Sequence, residues 1–210
     1  MNLIDYLNRH FLTRKQLLAR TGMADARLDE LQQLGMMPRP SYRLRVDLVC
    51  DSFFGQHDES HAIDWYAHGY AAWAGLLGAL DGPQQAFEVF AGRYRRRLAQ
   101  LAAEDLLTTA DTLTGEAHIA AEWRHFLEGT YGVCTRAGLP EEIAAKEAAV
   151  VLIRELTASG ERQELVPAER LRLAAAVDLL DRVSAPFAPH EVARSSRRRY
   201  VDEVRKTWSL

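Results

Sequence analysis

Cysteine is scarce: Cys50 and Cys134 are the only two in 210 residues, too few for a disulfide framework at this length. Long apolar runs are missing as well. The longest, Tyr70 to Leu80, is about half of what a membrane-spanning helix needs. The opening MNLIDYLNRH lacks the basic-then-apolar order of a secretory signal. A cytoplasmic protein that meets no membrane and keeps its thiols reduced is the expectation these absences leave. No Gly-rich phosphate loop, Ser-His-Asp arrangement or zinc-ligand spacing occurs. The sequence therefore names neither a reaction nor a cofactor.

What is present is ordinary globular material, 48% hydrophobic and 26% charged with a net charge of -3, enough for one large or two small domains. The charge is uneven. Residues 1–45 hold eight Arg or Lys against four acids, and the rest holds 18 against 25. A basic head on an acidic body fits either a nucleic-acid arm or uneven solvation.

Leu3, Ile4, Leu7 and Phe11 recur at helical spacing. Thr13, with Gln16 placed for a capping box, opens a second helix that ends at Gly22. A third runs from Asp25 to Leu34 and stops at Gly35. Two short helices joined by a glycine-containing turn are a helix-turn-helix signature. The stretch LTRKQLLARTGMADARLDELQQLGMMP resembles the N-terminal helix-turn-helix of MerR-type regulators through Gly22, Leu28, Gly35, Met36, Met37 and Pro38. Tyr42-Arg43-Leu44 resembles the start of that family's wing. The resemblance implies DNA as a partner, with Arg14, Lys15, Arg20, Arg27 and Arg43 as candidate backbone contacts. It departs where the family's DNA-facing helix carries Arg-Tyr-Tyr. Here stand Asp29, Glu30 and Leu31, and carboxylates repel phosphate.

Residues 45–56, VDLVC followed by DSFFG, read either as a short helix end or as a wing strand; beyond them the expectation is helical. His57, Asp58, Glu59 and His61 resemble a metal cluster, but consecutive loop residues rarely all face one ion, and a loop leading into a helix N-terminus with Asp58 or Ser60 as the cap explains them more plainly. That helix would carry the seam Ile63, Tyr66, Tyr70, Trp73, Leu77 and Leu80. The next carries Phe87, Phe90, Tyr94, Leu98 and Leu101, with Arg93, Arg95, Arg96 and Arg97 around Tyr94. A polar break at 108–115 follows. The expected architecture is an all-α helical bundle over 46–210 behind a helix-turn-helix-like module over 1–45.

The densest run of chemistry-bearing residues is Glu116 to Glu147. His118, Glu122 and His125 fall within about 60° of one another on a helix, bordering an apolar face of Ile119, Trp123, Phe126 and Leu127. Glu122-x-x-His125 is the spacing of di-iron carboxylate helices, although no second such motif accompanies it. The three are candidates for a metal, but none is expected here, because an internal salt bridge or a helix-surface pair explains the same residues. Gly129-Thr130-Tyr131-Gly132-Val133-Cys134 reads as a tight loop. Glu147 lies on a helix among Ile143, Val150 and Val151, where a carboxylate needs a partner, Arg154 or Tyr131, or a proton. Trp123, His125, Tyr131, Cys134 and Glu147 are the pocket candidates.

The last helix has an outer face of Arg194, Arg197, Arg198, Arg199, Arg205 and Lys206. The opening NLIDYLNRHFLT, the segments SYRL and SFFG, and FLEGTYGVCT…PEEIAAKE together resemble a bacterial family of unknown function tagged as natural-product biosynthesis proteins. The resemblance implies an accessory or enzyme-like protein whose partner is a biosynthetic protein or a small molecule, with a pocket in the 123–147 stretch. A MerR-like DNA-binding regulator and a helical protein–protein adaptor are the alternatives.

Overall fold

The computed structural model describes residues 2–108 and 113–210. The chain begins with α1 (Leu3–His10), whose N-cap Asn2 accepts a hydrogen bond from the Asp5 amide. A short strand, β1 (Phe11–Thr13), leads into α2 (Arg14–Thr21). The capping box forms as the sequence predicts: the Gln16 amide donates to Thr13 Oγ1 at 3.3 Å, and the Thr13 amide donates to Gln16 Oε1 at 2.8 Å. Gly22, in the left-handed region, ends α2, and α3 (Asp25–Gln33) follows.

The next segment overturns the all-α expectation. Tyr42–Ser52 and Gly55–Ala67 are strands β2 and β3, a long hairpin closed by Phe53 and Phe54. With β1 they make a three-stranded antiparallel sheet in the order β1-β3-β2, so the fold is mixed α and β. Two physical facts account for the difference. Tyr42, Leu44, Val46 and Leu48 alternate with Arg43, Arg45 and Asp47, the period of a pleated strand. The seam that imitates a helix straddles a junction: Ile63 and Tyr66 lie in β3, and Tyr70, Trp73 and Leu77 in α4 (Tyr70–Leu77). His57, Asp58, Glu59 and His61 are accordingly strand residues, not a helix cap. Residues 45 and 46 both lie within β2.

Only the inner half of the hairpin packs. Trp65, Tyr66 and Ala67 are buried, whereas every residue from Asp47 to Ala62 is exposed. Phe53 and Phe54 at the tip are 97% and 96% exposed.

The body consists of α5 (Pro83–Ala103), α6 (Glu116–Leu127), α7 (Thr130–Cys134), α8 (Pro140–Leu156), α9 (Pro167–Val183) and α10 (Glu203–Trp208). The polar break expected at 108–115 lies partly outside the described residues. α8 packs against both α5 and α9. Its buried face includes Ala144, Ala145, Ala148 and Ala149, whose small side chains let neighbouring backbones approach closely. Trp73, Phe90 and Phe126 are fully buried, and the rings of Trp123 and Phe126 stack 5.4 Å apart. Trp73 Nε1 donates to the Met36 carbonyl at 2.8 Å, tying α4 to the end of α3. α10 is clamped by Arg205, which reaches Asp178 and Asp181 on α9 at 2.7 Å each.

The Gly129–Cys134 stretch is also not the loop expected. It is the short helix α7, started by Gly129 at φ +81°. Its glycines serve close approach. A Cβ on Gly129 would stand 2.6 Å from the Arg39 carbonyl oxygen, and one on Gly132 would overlap Ser41 Oγ. This is where the body presses on the segment entering β2.

Candidate metal centre

His118 and Glu122 lie four residues apart on α6 and therefore share a face. That face turns to α8, where Glu147 projects from between the apolar rows. His118 Nε2 is 2.9 Å from Glu147 Oε2. The Tyr94 hydroxyl, from α5, donates to the same oxygen at 3.2 Å and also lies 3.2 Å from His118 Nε2. From α7, the Tyr131 hydroxyl donates to Glu147 Oε1 at 3.4 Å. One ligand atom each from His118, Glu122 and Glu147 lies within 4.8 Å of the others, the one such group of three metal-ligating side chains among the described residues.

Glu122 is the most confined member. It is 5% exposed, and its Oε2 is buried without a hydrogen-bond donor. Burial first, then the charge and hydrogen bond of Glu147, push its carboxyl from 4.5 up to about 8, with Lys146 acting in the opposite sense. Burial and the same two carboxylates hold the Tyr94 hydroxyl protonated far above its ordinary range. Two carboxylates in such proximity require a proton or a cation between them. The cluster opens to water at one side, where the side chains of His118 and Glu147 are 28% and 23% exposed.

The remaining pocket candidates divide. Tyr131 is part of the cluster. His125 stands at its edge, with Nδ1 3.7 Å from Glu122 Oε1 and its ring against Tyr131. Trp123 packs among Trp73, Phe87, Phe90 and Phe126. Cys134 packs against the core on the side of Tyr70. Arg154 lies instead in a cleft with Arg199, Tyr200 and Glu203. Tyr94 is the member that sequence reasoning treated only as a packing residue. A hydroxyl within the seam of α5 was the available signal, since buried tyrosines seek a partner.

The N-terminal cations are largely matched within the chain. Arg14 grips Asp25 at 2.8 Å and Asp29 at 2.7 Å, Arg27 pairs with Glu30, and Arg43 pairs with Asp64. Arg20 lies 3.3 Å from His68 Nδ1. Lys15 makes no ion pair among the described residues.

Fold and cluster together define a small α/β protein whose helical body holds an imidazole and two carboxylates at one point. By its sequence the chain belongs to a family of unknown function (DUF6058), whose profile matches residues 86–209. The matched region runs from α5 to α10 and contains Tyr94, His118, Glu122, Tyr131 and Glu147, whereas the sheet lies outside it. Comparison with curated proteins and with solved structures gave no match. Among the described residues no helix is long and apolar enough to cross a membrane.

Proposed function

We propose that the helical body binds one divalent metal ion through His118, Glu122 and Glu147, and that the protein is enzyme-like, acting on a small molecule at that ion. The observation that carries this reading is the buried Glu122 Oε2, which has no donor and stands beside a second carboxylate. A cation satisfies both at once. Of the mixed ligands, the imidazole suits borderline ions such as Zn²⁺ and Co²⁺, and the two carboxylates also suit the harder Mn²⁺. His118, Glu122 and Glu147 would hold the ion, which when bound would supply Lewis acidity to a substrate oxygen. Tyr94 and Tyr131 hold Glu147 in place by hydrogen bonds, the outer support that metal ligands require. The stretch resembling natural-product biosynthesis proteins contributes Tyr131 and Glu147, which supports a place beside biosynthetic enzymes.

Chelator-treated protein titrated with Mn²⁺, Co²⁺ and Zn²⁺ by calorimetry tests the reading. One ion per chain is expected, with affinity lowered by about 100-fold or more in His118→Ala and Glu147→Gln. Absence of uptake at ~1 mM ion, where even an affinity of about -4 kcal/mol registers, sinks it.

A further inference from the structure

A second cluster of ionisable side chains lies on the other side of α7 and takes no part in the metal centre. Whereas Tyr131 faces Glu147, Gly132 and Thr135 line a cleft of about 410 Å³. Its walls also carry Arg9 and His10 from the end of α1, His68 from the β3–α4 turn, Arg136 after α7, and Arg197. Among the described residues no carboxylate lines it.

The charges in this cleft are not balanced. Arg197 is matched by Asp181, which also serves Arg205. Arg9 and Arg136 form no ion pair among the described residues; the nearest arrangement for Arg136 is a 3.5 Å contact of its Nη2 with the Asp181 carbonyl oxygen. Glu142, which feels the Arg136 charge, accepts a hydrogen bond from the Ala137 amide. Glu191, behind Tyr6, accepts one from the Tyr42 hydroxyl. Burial, then Arg9, His68 and Arg136, hold His10 below the ordinary histidine range. Burial and then Arg20 do the same for His68, against a hydrogen bond to the Arg9 backbone. Arg20 can only donate, so His68 Nδ1 accepts from it and the neutral ring carries its proton on Nε2.

We propose that this cleft binds a small phosphomonoester, with Arg9 and Arg136 as the principal contacts to the phosphate and His10 and His68 beside them. Two unmatched guanidinium groups equal the charge of a phosphate dianion, and arginine forks fit phosphate oxygens in pairs. The volume exceeds that of inorganic phosphate and leaves room for the esterified group. Because an anion relieves the mutual repulsion of the cations, its binding draws protons onto His10 and His68.

The test is calorimetric titration of the full chain with glycerol 3-phosphate, with inorganic phosphate as competitor. Saturable binding is expected, weakened about tenfold or more in Arg9→Gln and in Arg136→Gln, and unchanged in Arg96→Gln on the exposed face of α5. Both cleft arginines are exposed, so their substitution should leave the far-ultraviolet circular dichroism and Tm intact. Sulfate, whose charge is constant, should bind more tightly as pH falls from 8 to 6. Equal affinity in wild type and in both cleft variants overturns the proposal. So does retention on vesicles containing phosphatidic acid without binding of the soluble ester, which would assign the cleft to a lipid headgroup.

Discussion

Replacing Glu122 by glutamine removes the ionisable group that the body confines most tightly while keeping its shape. The folded carboxyl is pushed from 4.5 up to about 8, by burial first and then by Glu147. A folded pKa above the unfolded one gives stability that is complete below about pH 4.5 and disappears as pH rises through about 8. At about 1.36 kcal/mol per pH unit the full shift corresponds to an upper bound of roughly 5 kcal/mol. Water reaches the cluster past His118 and Glu147, 28% and 23% exposed, so the working figure is about 1–3 kcal/mol. Glutamine carries no titrating proton, and its amide can donate to Glu147. In the presence of chelator, Glu122→Gln should match the wild type near pH 5 and exceed it by ~1–3 kcal/mol near pH 8.5. For a chain of this size that is roughly 3–9 °C in Tm. Thermal unfolding followed by circular dichroism across this pH range reads the effect directly. A divalent ion should reverse the order, because an ion at about 1,000 times its Kd stabilises the wild type by about 4.1 kcal/mol and the variant hardly at all. If Glu122→Gln is the less stable protein near pH 8.5 in chelator, Glu122 is ionised and satisfied in the fold, and the reasoning fails.

Three further outcomes follow from the packing. Gly129→Ala forces a side chain into positive φ, 2.6 Å from the Arg39 carbonyl oxygen. It should lower stability by about 2–4 kcal/mol in urea unfolding; a neutral result would mean that this junction is loose. The double substitution Phe53→Ser with Phe54→Ser should change Tm by less than ~2 °C, since both rings are almost fully exposed; a large loss would show that the hairpin tip packs. Cys134→Ser should leave divalent-ion affinity unchanged within about twofold, because Cys134 lies outside the ligand cluster; lost affinity would extend the site to α7's end.

The helices before residue 35 were legible because their signals are local. The Thr13–Gln16 capping box and the left-handed Gly22 are decided by residues three or four apart. The hairpin was legible only in part: β2 shows the strand period and 45–56 read as a helix end or a wing strand, whereas the outer part of β3, residues 55–62, is polar and exposed and carries no alternation. Ile63, Tyr66, Tyr70 and Trp73 then imitate one helix across the β3–α4 junction. At the site, Glu147 stood out as a carboxylate among Ile143, Val150 and Val151. His118 and Glu122 read as a border stripe, because a helix's own period does not say which neighbour will cover its border. Here α8 covers it and α5 adds Tyr94. The carboxylates at Asp29 and Glu30, set against DNA by their charge, turn out to hold Arg14 and Arg27.

The most direct test of the central claim is a crystal of the protein soaked or grown with Mn²⁺ or Zn²⁺, measured at the absorption edge of the ion. A single anomalous peak is expected, about 2.0–2.3 Å from His118 Nε2 and from one carboxylate oxygen each of Glu122 and Glu147. No peak at that cluster, or a peak elsewhere with Glu122 and Glu147 still side by side, would show that a proton alone joins the two carboxylates.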